Sequence, residues 1–421
     1  MKIIKQPTAE NHSRDLQLTN TVADIIENVK QNGDKALFEY AEKFDHVKMD
    51  SIRVDKEAIK AAYDLVDPET LETIRFSASQ IEAFAKAQRE CLKDLNMQSS
   101  IPGLEIGHRM IPVDRCACYV PAGLHPLPST ALMTIVTAKC AGVKEIAACS
   151  PAVRGTTMIH PAVLVAMDIA GADEIYCMGG AQAIAAFAYG TETIGKVDMI
   201  VGPGNKYVAE AKRQVQGIVG IESVAGPSEV LIIADETADP TLLAIDLLGQ
   251  AEHDPNTQSI LVCTDEDVIN KTLPEVERLL ETLETKDAAG TSWNNNGTVY
   301  LADSIDEAIE IANRIAPEHL EVQAANERDI AEKLRHFGSL FVGKYAPVAF
   351  GDFVSGPNHT LPTMSTARFS GGLWVGSFLK TAFYQFVSEE GCKNLAASAM
   401  KFAEVEGLPA HRDSVRLRLE K

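Results

Sequence analysis

No uninterrupted apolar run of about 18 residues occurs in this 421-residue chain, which leaves no candidate for a membrane-spanning helix. A basic block is missing too. Lys and Arg total 39 against 59 Asp and Glu, a formal charge of −20. A surface that acidic repels phosphate backbones and anionic lipids, so neither nucleic acid nor membrane is expected as a partner. The opening stretch MKIIKQPTAENHSRD has no apolar core of signal-peptide length, and a cytoplasmic protein is expected. Eight cysteines are scattered at 91, 116, 118, 140, 149, 177, 263 and 392. Only Cys116 and Cys118 are close, in a C-x-C with no second pair, so buried reduced thiols are expected rather than disulfides or a cysteine–zinc site. The dinucleotide fingerprint G-x-G-x-x-G and the metalloprotease signature H-E-x-x-H are both absent. So are internal repeats and low-complexity tracts.

What is present is alternation. The N-terminal quarter reads as helical: Val22, Ile25, Ile26 and Val29 recur at helical spacing, Gly33 interrupts, and residues 68–98 read as one long helix. From about residue 118 short β-branched runs (KEIAACS, DEIYCMG, VDMIVG, SEVLIIAD, SILVCTD) alternate with helical ones, the pattern of repeated βαβ units. Continuous apolar runs such as VLIIA fit strands buried on both faces. Segment 344–372 is aperiodic, rich in Gly, Pro and Ser, and holds several His, Asp and Asn. A loop of that length inside a packed protein is usually functional. The last 45 residues read as a helical tail.

Several polar residues stand where packing is expected. In LLGQAEHDP, residues 247–255, Gln250 and His253 share the helical face that Leu243 and Leu247 begin. Asp352 and His359 lie in GDFVSGPNHTLPT, and His411 lies in EGLPAHRD. Imidazoles with one carboxylate make a zinc site, and an amide oxygen is a rarer ligand. In APEHLE, 316–321, Glu318 and His319 follow a proline as though at a helix start. Carboxylate and imidazole are the two commonest proton-transfer groups. VGPGNKY, 201–207, and MGGAQ, 178–182, each join a strand to a helix, where glycines permit close backbone approach and a helix N-terminus favours an anion.

Together these stretches resemble the histidinol dehydrogenase family. The likeness is carried by YVPAG (119–123), GGAQAIAAFAYGTETIGKVDMIVGPGNKYV (179–208), AGPSEVLIIAD (225–235), LLGQAEHDP, APEHLE and GPNHTLPT (356–363). It implies a zinc ion per subunit, NAD, and four-electron oxidation of a primary alcohol through an aldehyde to a carboxylate. By similarity Gln250, His253, Asp352 and His411 match the zinc ligands, and Glu318 and His319 the proton-transfer pair. Ser228, His359 and Glu406, with Gln250, His253, His319, Asp352 and His411, match substrate contacts. Tyr119, Gln182 and Asn205 match NAD contacts. The likeness also implies an intertwined homodimer in which the C-terminal histidine reaches the partner's metal.

The architecture expected is α/β, with two Rossmann-like parallel-sheet domains and small helical terminal extensions. Residues 1–19 form an arm, 20–117 with 230–375 a discontinuous first domain, 118–229 the NAD-binding second domain, and 376–421 the helical tail. YVPAG departs from the family's usual YVPGG. RFSGGLWVGSFLKT (368–381), GHRMIPV (107–113) and IHPAVLVAM (159–167) look closer to a paralogous branch acting on sulfopropanediol. The expectation leans to that small polar diol, with His125 or Arg368 holding its anion, and L-histidinol is the alternative. Two other classes compete. A zinc- and nucleotide-binding protein without turnover would retain zinc yet oxidise nothing, and a metal-free Rossmann dehydrogenase would survive chelation.

Overall fold

A computed structural model describes residues 1–8, 15–122, 126–224 and 226–420. Strand β1 (Lys2–Lys5) is followed by α1 (Leu16–Tyr40), which Gly33 kinks at φ 53°, where the apolar periodicity breaks. Helices α2 (Lys56–Tyr63) and α3 (Pro68–Cys91) follow, each capped by an aspartate that accepts from the first turn. The long helix expected over 68–98 stops at Cys91. Residues Leu95–Gln98 form β2, which pairs antiparallel with β3 (Leu104–Pro112).

Two parallel sheets then form in succession. The first contains β4 (Arg115–Tyr119), β5 (Glu145–Ser150), β6 (Glu174–Cys177), β7 (Met199–Val201) and β8 (Gly220–Ile221), in the order β6-β5-β4-β7-β8. Its crossovers are α4 (Pro128–Ala141), α5 (Pro161–Ala170), α6 (Gly180–Tyr189) and α7 (Lys206–Val215). The second contains β9 (Glu229–Ala234), β10 (Gln258–Cys263), β11 (Thr298–Leu301), β12 (His319–Gln323) and β13 (Ser339–Val342). They run in the order β11-β10-β9-β12-β13, with β1 added antiparallel beside β11. Helices α8 (Pro240–Ala251), α9 (Glu266–Thr282), α10 (Lys286–Asn296), α11 (Ile305–Ile315) and α12 (Glu327–Lys333) join or flank these strands, and short α13 (Val348–Phe353) follows β13.

Every residue of β9 is buried. Val230, Ile232 and Ala234 pack toward α8, while Leu231 and Ile233 pack with α11 on the opposite face. This is why the run reads as continuously apolar. Both sheets reverse their building direction once, between β4 and β7 and between β9 and β12. Such reversals open a crevice at the sheet edge.

Three expectations need correction. Helices α1 and α3, assigned by sequence to the first domain, pack on the five-stranded sheet: Val22 and Val29 join Phe187 and Val208, and Ile74 and Ile81 join the cluster around Leu132. Their apolar stripes cover faces that the short crossovers leave open. The tail from 376 is not wholly helical, because β14 (Leu379–Val387) pairs antiparallel with β3 before α14 (Glu389–Val405) and α15 (Pro409–Leu419). Glu318 and His319 do not start a helix. Ala316, at φ 54°, ends α11, and His319 opens a strand. The cysteines are free, with 116, 118, 149, 177 and 263 buried, 140 and 392 half-buried, and Cys91 exposed.

Candidate active site

The amino edge of the six-stranded sheet gathers most of the singled-out side chains. Helix α8 buries Leu243, Leu247 and Leu248 beneath the sheet, a contribution of about 1.5–3 kcal/mol for each leucine. That packing carries Gln250, only 2% exposed, into the same interior. His253 stands just past the helix end and is exposed. Ser228 and Glu229 begin β9, Glu318 and His319 begin β12, and α13 supplies Asp352.

Contacts knit the group together. Glu318 Oε2 accepts from Ser228 Oγ at 2.6 Å and from the Glu229 N–H at 2.9 Å. Ser228 Oγ also donates to Gln250 Oε1 at 3.4 Å, and Gln250 Nε2 is 3.4 Å from His319 Nδ1. His319 Nδ1 is 3.0 Å from the Glu229 carbonyl, which can only accept. The Nδ1 proton is thereby assigned, leaving Nε2 as the basic nitrogen. Nε2 is buried, has no hydrogen-bond partner, and lies 3.7 Å from Asp352 Oδ1. His359 Nδ1 contacts the Asp352 carbonyl at 2.9 Å, and its Nε2 is 3.3 Å from Thr130 Oγ1 on α4.

Burial pushes the Glu318 carboxyl up, partly offset by His319 and by the Ser228 and Glu229 hydrogen bonds. It pushes Glu229 up to about 7. For His319 burial works downward, but the Glu318 and Asp352 carboxylates outweigh it and raise the imidazole to about 9. Asp352 moves the other way: burial would raise it, and the neighbouring histidines hold it below the usual carboxylate value.

A divalent cation fits this donor set. Glu229, Glu318 and Asp352 are largely buried, and among the described residues their only charged partner of opposite sign is histidine. Buried anions of that density need a positive charge. Gln250, His253 and Asp352 would hold zinc, with the imidazole, the carboxylate and the amide oxygen answering its N/O preference. Among the described residues of one chain, no three His, Cys, Asp or Glu side chains gather closely enough to hold a metal. The set is completed by an amide and by a residue that is not in place here. His411 and Glu406 are exposed on α15 and at the end of α14, helices that pack on each other and on β14 rather than on this site.

Tyr119, Gln182 and Asn205 come together elsewhere, in a cleft of about 850 Å³ at the carboxyl edge of the five-stranded sheet. The cleft lies at the β4/β7 reversal, also lined by Pro121, Arg154 and His160. Tyr119 is buried, which pushes its phenol up, and its oxygen accepts from the Gly180 N–H at 3.1 Å. Helix α6 has no side-chain cap from its own turn, leaving the N–H groups after Gly180 available to an anion, whereas the Asn205 side chain caps α7. Gly202 takes φ 117°, and a Cβ there would meet the Tyr119 carbonyl oxygen at 2.0 Å. The cradle fits a dinucleotide. Its first helix α4 carries Thr130 to His359, so the cleft and the buried polar cluster adjoin.

Of the two proposed anion holders, Arg368 is exposed and bonded to the carbonyls of Asn313 and Arg314 at the end of α11, where it complements that helix terminus. His125 lies outside the described residues. Sequence reasoning missed Glu229 and Thr130. Glu229 adjoins Ser228 in the GPSEVL run, where a carboxylate opening an all-apolar strand is the one visible signal.

A family model described as Histidinol dehydrogenase matches residues 8–419. A histidinol dehydrogenase of Clostridium acetobutylicum is 44% identical over 96% of this chain and 93% of its own. One of Geobacillus kaustophilus is 45% identical over 95% and 93%. The crystal structure of histidinol dehydrogenase from Elizabethkingia anophelis superposes with a TM-score of 0.92 at 39% identity, covering 98% of this chain and 94% of that one.

Proposed function

Because this chain belongs to the histidinol dehydrogenase family, NAD-dependent and zinc-binding oxidoreductases acting on CH–OH groups, we propose that it oxidises L-histidinol to L-histidine. The observation that carries this reading is the buried group of Glu318, His319, Asp352 and Gln250, with its carboxylates unmatched by lysine or arginine among the described residues. Histidinol offers an amine and an imidazole to such a pocket. A sulfonate would need a fixed cation, and Arg368 is committed to α11. The lean toward sulfopropanediol is therefore abandoned, and the names of relatives at 42–45% identity support the same choice.

The reaction balances as R–CH2OH + H2O + 2 NAD+ → R–COO− + 2 NADH + 3 H+. Zinc, when bound by Gln250, His253, Asp352 and the partner's His411, supplies a Lewis acid for the substrate's polar groups, and NAD supplies the hydride acceptor. His319 Nε2, free of other partners, takes the alcohol proton, while its Nδ1 stays on the Glu229 carbonyl. Glu318, held by Ser228 and the Glu229 N–H, takes a proton from the water that attacks the aldehyde. His359, braced by Thr130, and Glu406 of the partner subunit flank the substrate. Tyr119, Gln182 and Asn205 line the nicotinamide nucleotide's cleft.

This arrangement calls for a homodimer. Strand β14 and helices α14 and α15 leave Phe383 83%, Phe402 69% and Val405 75% exposed. Three large apolar side chains on one slender extension are characteristic of a face covered by another chain. A second copy wrapped by this extension would bring His411 to the metal.

The test is NADH formation by zinc-loaded protein with L-histidinol and with each sulfopropanediol enantiomer in parallel. Turnover of histidinol is expected. Turnover of a sulfopropanediol alone would overturn the substrate assignment.

A further inference from the structure

The polar face that holds the catalytic group continues past it. On β12 alternate residues point the same way, so His319, Glu321 and Gln323 share the side that faces α8. On α8 Asp246 precedes Gln250 by four residues and stands one turn farther along the same helical face. Behind the His319–Gln250 contact lies a second layer that the reaction does not use. Gln323 Nε2 donates to Asp246 Oδ2 at 2.8 Å and to Glu321 Oε2 at 3.0 Å. Glu321 is 2% exposed and Gln323 5%. Glu321 also lies against the Val348 N–H in the first turn of α13, four residues before Asp352, where Pro347 provides no side-chain cap.

Two carboxylates, one deeply buried, thus share an amide with no lysine or arginine against them among the described residues. They cannot both ionise cheaply. Burial, then the neighbouring Asp246 charge, pushes Glu321 up to about 8, so at neutral pH the pair shares a proton. The group touches three elements at once. These are α8, which carries Gln250 and leads to His253, β12, which carries His319, and α13, which carries Asp352.

We propose that Asp246, Glu321 and Gln323 are positioning residues for the metal site, an acid–carboxylate pair locked by an amide that fixes α8, β12 and α13 in register. The proposal rests on reading Gln250, His253 and Asp352 as ligands. Such outer partners act through geometry, and their loss typically costs about 10–100-fold in metal affinity.

The experiment uses full-length wild type, Glu321→Gln, Glu321→Ala, Asp246→Ala and, as a control, His253→Ala. Zinc affinity is measured by competition with a chromophoric chelator, ligand geometry by the visible bands of cobalt(II)-loaded protein, and stability by melting of the metal-free form. Glu321→Ala and Asp246→Ala are expected to weaken zinc about 10–100-fold and to shift the cobalt bands. Glu321→Gln, which keeps a neutral donor toward Asp246, is expected to stay near wild type in both. Alanine variants with lowered melting but unchanged zinc affinity and cobalt bands would overturn the proposal and leave a purely structural cluster. Equal damage from Glu321→Gln and Glu321→Ala would overturn it as well, because a donor at 321 would then count for nothing. If Glu321→Ala does not fold, Asp246→Ala, at the half-buried end of the cluster, carries the same comparison. A wild type that binds neither zinc nor cobalt would remove the ligand assignment and this proposal with it, whereas a wild type that binds, matched by its alanine variants, removes the proposal alone.

Discussion

His319 is a base flanked by two carboxylates, and its proton is held at one end by a carbonyl. In the metal-free protein those carboxylates keep the imidazole charged up to about pH 9. Since the folded state holds this proton more tightly than the unfolded chain does, the contribution to stability is complete below about pH 6.5 and is lost as pH rises through 9. An NMR titration of the metal-free protein should therefore place His319 well above an ordinary histidine. Zinc loading should bring it down sharply, because a divalent cation replaces the proton as the carboxylates' counter-charge. An unchanged titration would show that metal and imidazole do not share those carboxylates. At Glu318, Gln keeps the shape and removes the base. Glu318→Gln should lower kcat for acid formation by about 10²–10⁴-fold while zinc content stays at the wild-type level, measured by NADH yield and metal analysis. Zinc retained with no loss of turnover would remove Glu318 from the proton transfer. The chemical character of these residues was legible from APEHLE. Their setting was not, because β12 places Glu321 and Gln323 among its buried positions, and polar residues on a buried strand face erase the apolar signature by which a strand is read.

Among the elements, the βα turns were the most readable feature, since glycine after a short apolar run has few other uses. Gly202 shows what the turn requires. Its φ of 117° and the 2.0 Å approach of a would-be Cβ to the Tyr119 carbonyl leave no room for a side chain, and the obstacle is backbone. The turn is held from behind by Lys212, which donates to the Gly202 carbonyl at 3.0 Å and to Glu222 Oε1 at 2.7 Å, while the Gly202 N–H donates to the same carboxylate. Gly202→Ala should raise the KM for NAD far more than the zinc dissociation constant and lower stability by about 1–3 kcal/mol, checked by kinetics, chelator competition and denaturant melting. Equal effects on cofactor and metal would mean that the turn supports the whole molecule and not the cleft. The β2–β3–β14 sheet escaped sequence reading for a different reason. Its strands alternate without burying a face in this chain: β2 is exposed throughout, and most of β14 is exposed or half-buried. Helix-forming residues at 92–98 and 389–405 therefore dominate the local pattern.

At the scale of the whole molecule the unanswered geometry is His411. It was singled out by sequence as a ligand, yet in one chain it is exposed on α15, a helix that packs on α14. If that extension crosses to a second copy, each active site takes its proton-transfer pair from one subunit and its last ligand from the other. Two inactive variants then complement each other. In a mixed dimer of His411→Ala and Glu318→Gln, the site that keeps Glu318 receives the intact His411 from its partner, and the other site carries both defects. Random reassortment makes half the dimers mixed with one sound site in two, so about a quarter of wild-type activity should return after the variants are unfolded and refolded together. A histidine serving its own subunit allows no such recovery, because every site in every dimer would then carry one defect or the other. The same exchange carried out with Phe402→Glu in both chains should restore nothing, and sedimentation should show monomers. A charge on the exposed apolar face would prevent the crossing on which the shared site depends.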